Sequence, residues 1–137
     1  MQTFMPYPDF DKSAQSLDDV RLNNQCNEAT IIIKSIKGLY PVKNGRRGWE
    51  HHAAAKMWRG YVDALTMYRN ACCKEWIRRG KNSKRELWEH QESPPMPPWF
   101  GREDFHRSHQ SNLIRKKPEY YGIKFVGIPD DLPYLWE

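Results

Sequence analysis

The chain has 137 residues and a net charge of +5, from 22 basic and 17 acidic side chains, which predicts one domain over residues 1–137 with a single core. No apolar run is long enough to span a membrane and no signal-peptide pattern is present, so the expectation is a cytoplasmic protein. The three cysteines, Cys26, Cys72 and Cys73, form neither a CxxC pair nor an even set, which argues against a disulfide framework and a Cys-type zinc site.

In chain order, Pro6 and Pro8 favour an extended N-terminal arm. A first helix is expected from Asp9 or Asp11 to about Lys37, with a break around Leu17 and Gly38 as its stop. Leu22, Cys26, Ala29, Ile33 and Ile36 recur at steps of three and four, the pattern of a core-facing stripe. Arg21, Asn24, Gln25 and Glu28 line the next face, where polar groups are costly to desolvate unless they pair or bind a ligand. Lys43 to Gly48 reads as a basic, turn-rich loop. A second long helix is expected from His52 to Arg79, about 40 Å long, with Ala54, Met57, Trp58, Tyr61, Leu65, Tyr68, Cys72 and Trp76 as its stripe. A short helix is expected at Lys84 to Gln91. The four prolines of Ser93 to Phe100 dictate an extended strap. A helix from Arg102 to Lys117, ended by Pro118, precedes an irregular aromatic tail from Glu119 to Glu137. The predicted fold is all-α: a small single-domain helical bundle with one long central helix, the Pro-rich strap and that tail.

The charge is clustered. Basic residues gather at Lys43 to Arg47, Lys74 to Arg85 and Arg115 to Lys117, and a patch makes a field where a sprinkle does not. Six Trp and seven Tyr exceed what a small core needs, and beside basic residues they suit base stacking. The chain shows no phosphate-binding loop and no cofactor motif. Three side-chain groups carry candidate chemistry: Arg21, Asn24, Gln25 and Glu28; His51 and His52 at a helix start, near Trp49 and Arg59; and the run Phe105 to Asn112 with His106, Arg107, Ser108 and His109. His106 and His109 share a helix face, so HxxH plus a carboxylate is a metal reading, though no third ligand has diagnostic spacing. Phosphate or base contacts suit that helix better. A fourth candidate is the α-amino group, which titrates near pH 8 and can form a Schiff base with an opened sugar C1′.

An extended N-terminus, a helix with Arg and Glu, a long helix ending Glu75-Trp76-Ile77-Arg78-Arg79-Gly80, a Pro-rich strap, a His-bearing helix and Pro118-Glu119-Tyr120-Tyr121-Gly122 follow one another. In this order the chain resembles the pyrimidine-dimer DNA glycosylase family of phage endonuclease V, most clearly over residues 51–82 and 105–122. The start of the chain with Arg21, His52 and 105–112 is similar to an uncharacterised bacterial and phage branch of it. The resemblance implies a small all-α enzyme that flips a base, attacks C1′ with its N-terminal amine and breaks the strand by β-elimination. It implies a basic face on the minor-groove side of kinked DNA, with no metal or cofactor.

Two departures stand out. The family's second residue is small, whereas here it is Gln2, so the free amine is expected on Met1. The family's catalytic Glu directly follows the helix Arg, whereas here Leu22 follows Arg21 and the in-face carboxylate is Glu28, with Asp18 and Asp19 as rivals. The catalytic set is thus Met1, Gln2, Arg21, Gln25, Glu28 and Asp19. DNA contacts are expected from His52, Arg59, His106, Ser108 and His109, and from Asn24, Lys43, Arg46, Arg47, Arg107, Asn112, Arg115, Tyr120 and Tyr121. The expectation is a monomeric glycosylase, with AP-lyase activity open, acting on double-stranded DNA with a damaged or modified pyrimidine. The alternatives are a non-catalytic nucleic-acid-binding module and a His-based metal-dependent nuclease.

Overall fold

A computed structural model describes residues 2–47, 52–81 and 84–136, with the backbone alone for Arg46 and Arg47. Helices α1 (Phe10–Ser16) and α2 (Asp19–Ile36) are followed by the strands β1 (Val42–Lys43) and β2 (Arg46–Arg47). Then come α3 (Ala53–Trp58), α4 (Val62–Arg78), α5 (Glu103–Lys116) and α6 (Pro118–Lys124). The all-α class holds. The strands form one antiparallel two-stranded hairpin, turned by Asn44 and Gly45, both at positive φ.

The break around Leu17 is present, because Leu17 is extended between α1 and α2. Asp9 caps α1 by accepting from the Lys12 N–H at 2.8 Å. Gly38 ends α2 at φ 69°, with the Leu39 N–H bonded to the Lys34 carbonyl and the Gly38 N–H to that of Ser35. Both expected stripes face inward. Leu22, Cys26, Ala29 and Ile33 of α2 are buried against Leu65, Tyr68 and Cys72 of α4, with Trp58, Phe105 and Leu113 in the same core.

Three expectations change. The long central helix is two helices, because Gly60 adopts φ 89° and Tyr61 restarts the chain into α4. The expected helix over 84–91 is absent. The side-chain amide of Asn70 clips the backbone of Trp88 from both sides, accepting its N–H at 3.0 Å and donating to its carbonyl at 2.7 Å. Arg69 stacks on the Trp88 ring 3.8 Å away, so that segment stays extended. Finally, Pro118 starts a helix as well as ending one: it occupies the first turn of α6, where its missing N–H costs nothing.

The N-terminal arm runs through the middle of the fold. Thr3, Phe4 and Met5 are buried, so their peptide groups need partners from side chains. The Phe4 carbonyl accepts from the Tyr68 hydroxyl at 2.8 Å, and the Thr3 carbonyl from that of Tyr134. The Trp58 indole donates to the Thr3 hydroxyl at 3.1 Å. Gln110 donates to the Pro6 carbonyl at 2.7 Å. Met5 is held by two neutral imidazoles. Its N–H donates to His109 Nδ1 at 2.9 Å, which leaves His109 Nε2–H to donate to the Leu135 carbonyl at 3.0 Å. Its carbonyl accepts from His106 Nδ1–H at 2.7 Å, and His106 Nε2 accepts from the Gly101 N–H at 2.8 Å. These partners fix opposite tautomers on the two rings.

Two predictions follow from this frame. Gly60→Ala puts a Cβ on a left-handed residue with open space around it, so strain alone acts and stability falls by about 1–2 kcal/mol in denaturant unfolding; an unchanged midpoint would mean that Gly60 is not held left-handed. Burial holds the His109 pKa down to about 3 from 6.5, so the fold requires the neutral ring while the unfolded chain takes up a proton below about pH 6.5. Its contribution is complete above pH 6.5 and declines as pH falls toward 3. His109→Ala, which orphans the Met5 N–H, costs about 2–4 kcal/mol at pH 7 and shrinks the loss of stability between pH 7 and pH 4. Parallel pH dependences for the two proteins would contradict the assignment.

Candidate active site

The arm and α2 meet at Gln25. Its Oε1 accepts from the Phe4 N–H at 2.9 Å and the Tyr68 hydroxyl at 2.6 Å. Its Nε2 donates to the Gln2 carbonyl at 2.8 Å and to Glu28 Oε2 at 2.9 Å. Two acceptor and two donor positions are all that a primary amide offers, so Gln25 is fully used and cannot flip without breaking four bonds. The helical stripe read from the sequence is what allows this: positions 25 and 28 share a face, and that face looks at the chain's first residues.

Glu28 is half-buried beside Gln2. Burial pushes its carboxyl above the ordinary value of 4.5, against the opposing pull of a hydrogen bond from the Gln2 backbone and the positive charge of Lys116. A carboxyl in this setting keeps a proton at a higher pH than an exposed one and can deliver it to a leaving group. Lys116 comes from the last turn of α5, with its ammonium 5.8 Å from the Phe4 ring. Tyr134 closes the other side. Its ring stacks on His109 at 4.4 Å and meets Trp136 edge-on at 4.6 Å. Sequence reasoning missed Lys116 and Tyr134 as site residues. Lys116 lay inside a recognised basic cluster and Tyr134 inside the aromatic tail, but neither has a spacing relation to Glu28.

His52 stands at the N-cap of α3, where Nδ1 accepts from the Ala54 N–H at 3.1 Å. Burial lowers its pKa, and its ring faces Trp136 edge-on at 6.0 Å. Beyond Trp136 lies an open groove of about 610 Å³ walled by Tyr61, Trp99, Tyr134 and Trp136, with Lys56 and Arg59 on its rim. Aromatic walls with basic edges suit a nucleobase and its phosphate.

A second polar group lies at the start of α2, where Asp18 is the N-cap and Arg21 stands two turns before Glu28. The buried Asp18 accepts from the Tyr121 hydroxyl, and the Asp18 N–H donates back to that oxygen at 2.9 Å. Arg21 reaches Asp18 at 3.5 Å and Lys117 reaches it at 4.0 Å. Arg21 Nε is a buried donor with no hydrogen-bond partner among the described residues, a position that an incoming acceptor oxygen would satisfy. Asp19 points elsewhere. It is exposed and bound to Arg79 at 2.9 Å and Lys81 at 3.1 Å, and the Arg79 hydrogen bond holds its carboxyl low.

The remaining sequence candidates separate. His106, Ser108 and His109 are buried, with His106 and His109 bound to Met5 and Ser108 Oγ donating to the Phe105 carbonyl, so the two imidazoles hold the arm, while Ser108 borders an open pocket with Arg102, Arg107, Leu132 and Leu135. Tyr121 is buried on Asp18. Asn112 and Arg115 bind the tail, through the Leu132 carbonyl and, for Arg115, that of Asp130. Asn24 and Lys43 are exposed, Arg107 is exposed and pairs with Glu103, Arg59 lines the aromatic groove, and Tyr120 is half-buried between Lys117 and Lys124. Met1, Trp49, His51 and the side chains of Arg46 and Arg47 lie outside the described residues. Among the described residues no group of three His, Cys, Asp or Glu side chains could hold a metal ion, so the HxxH reading has no ligand set. Among the described residues no helix is long and apolar enough to cross a membrane.

The family model for pyrimidine dimer DNA glycosylases matches residues 1–89. That stretch holds the arm, Arg21, Gln25, Glu28 and His52, and ends before the strap; α5, α6 and the tail lie beyond it. No curated protein and no solved structure matches the chain. With well over half of its length matched, the chain belongs to the pyrimidine dimer DNA glycosylase family.

Proposed function

We propose that this protein is a DNA glycosylase that excises a damaged or modified pyrimidine from duplex DNA, with residue 1 as nucleophile and Glu28 as the acid. The observation that carries the reading is the hydrogen-bonded set of Gln2, Gln25 and Glu28. It holds the Gln2 backbone against a half-buried carboxyl. In this reading the amine of residue 1, which is bonded to Gln2, is the group that works with Glu28.

In this reading the amine lone pair forms a bond to C1′ as the glycosidic bond breaks. The electron pair leaves with the pyrimidine, which takes a proton from Glu28. The bound amine loses a proton, and its lone pair then opens the sugar ring: the C1′–O4′ bond breaks, O4′ takes a proton, and C1′ becomes an iminium carbon with an acidic C2′ hydrogen. Its removal by the Glu28 carboxylate expels the 3′ phosphate, which is the lyase step. Reaching C1′ requires the nucleotide to leave the stack, a cost that is lowest for a damaged base. The groove of Tyr61, Trp99, Tyr134 and Trp136 would receive an extruded base, while Lys56, Arg59 and the unpartnered Arg21 Nε would take phosphate oxygens.

Gln25 has a positioning role, because it touches the arm and the acid and not the substrate. The family's small second residue is replaced by Gln2, whose backbone is engaged at this site. The substitution therefore alters the side chain beside the nucleophile and leaves the anchoring bonds, which belong to the main chain.

Glu28→Gln preserves the side chain's shape and its capacity to hydrogen-bond but removes the transferable proton. The expected result is a loss of about 100-fold or more in the rate at which a photodimer-containing duplex acquires an abasic site, with DNA affinity retained. Formation at the wild-type rate would remove Glu28 from the chemistry. Strand binding without an abasic site at any pyrimidine photoproduct or modified pyrimidine would leave the non-catalytic module.

A further inference from the structure

Tyr121 and Phe125 anchor α6. Both are buried, their rings stack 5.9 Å apart and nearly parallel, and Phe125 also meets Tyr7 at 6.0 Å. The hydroxyl bond from Tyr121 to Asp18 fixes the element to the start of α2. Pinned in this way, α6 and the turn after it present Ile123 and Val126 to solvent. At 77% and 81% exposed, they are the most exposed large apolar side chains among the described residues.

Scattered exposed apolar residues are ordinary. This pair differs in its setting. Lys117 and Lys124 both rest on the Tyr120 ring, with their ammonium groups 5.5 and 5.0 Å from its centre. Lys116, one residue earlier, carries the same positive edge to Glu28. A cationic track thus runs from the candidate active site to two unpartnered apolar side chains on a rigid corner. The only acidic side chain between residues 115 and 124 is Glu119. Lysines that bind phosphates, followed by a branched apolar tip with nothing to pack on, form a shape that suits a base step opened from the minor groove.

We propose that Ile123 and Val126 form a wedge that enters duplex DNA between base pairs beside the excision site, with Lys117 and Lys124 seated on the flanking phosphates. The wedge rests on the glycosylase reading for its position along the DNA. It gives the protein a device for breaking the stack that is separate from the groove receiving the base. Ile123 and Val126 open the step, and Lys116, Lys117 and Lys124 hold the backbone on either side.

The test uses a duplex with a pyrimidine photodimer and 2-aminopurine at the adjacent step. The full-length protein should raise 2-aminopurine fluorescence on binding, as the base loses its stacked neighbour. The Ile123→Ser, Val126→Ser double variant, whose sites are exposed and leave the core intact, should bind with the same salt dependence but without the rise. It should cut the glycosidic bond about tenfold more slowly in the duplex and at the wild-type rate in a single strand, which needs no wedge, the readout being abasic-site formation. An equal fluorescence rise in the double variant would overturn the wedge, as would abasic-site formation by the wild-type protein with no rise at all. A wild-type rise that the double variant loses, with no abasic site formed by either protein, would support the wedge and remove the glycosylase reading instead. Binding only to anionic lipid vesicles, with none to DNA, would overturn both.

Discussion

The structure depends on one constraint: the backbone at the start of the chain is buried, and side chains rather than secondary structure satisfy its peptide groups. Gln25, Tyr68, His106, His109, Gln110 and Tyr134 come from α2, α4, α5 and the tail, and each holds a carbonyl or N–H between residues 2 and 6. An unpaired buried peptide group costs about 1–3 kcal/mol, so the arm cannot leave its slot without several such costs at once. The same bonds keep the Gln2 backbone beside Glu28. Backbone near a terminus is normally among the most mobile parts of a domain, and here the core itself locates residues 2 to 6.

This explains why polar residues occupy positions that a simple bundle would fill with Leu or Ile. His109 and Gln25 are almost fully buried and entirely hydrogen-bonded. Neutrality of His109 is part of the design, because a protonated ring would lose its acceptor for the Met5 N–H. Asp18, Arg21, Tyr121 and Lys117 form a second polar centre that ties α2 to α6. The two centres lie along one face of α2. Between them, the helix sets the spacing from the candidate acid to the Arg21 Nε donor, which has no partner among the described residues, and to the exposed apolar corner.

Much of the fold was legible because it follows periodicity. The stripe through Leu22, Cys26, Ala29 and Ile33 marked the buried face of α2, and the adjacent stripe of Arg21, Gln25 and Glu28 marked the polar face that meets the arm. What was not legible depends on partners far along the chain. A lone Gly60 inside an otherwise unbroken apolar pattern looks like a tolerated glycine until its left-handed φ is seen. Residues 84–91 have acceptable helix propensity, and it is the amide of Asn70 and the guanidinium of Arg69 that draw the segment into an extended path. His106 and His109 resemble ligands in the sequence because HxxH spacing says nothing about what covers that helix face. Their partner is the arm, more than one hundred residues away. Lys116 and Tyr134 escaped for the same reason, since tertiary packing alone relates them to Glu28.

The central claim is that the anchored start of the chain is a nucleophile. Incubation with photodimer-containing duplex DNA in the presence of borohydride, followed by peptide mass mapping, tests it directly. The account predicts a covalent adduct at the α-amine of residue 1, formed by reduction of the imine at C1′. An abasic site with no adduct, or an adduct confined to Lys116, would contradict it.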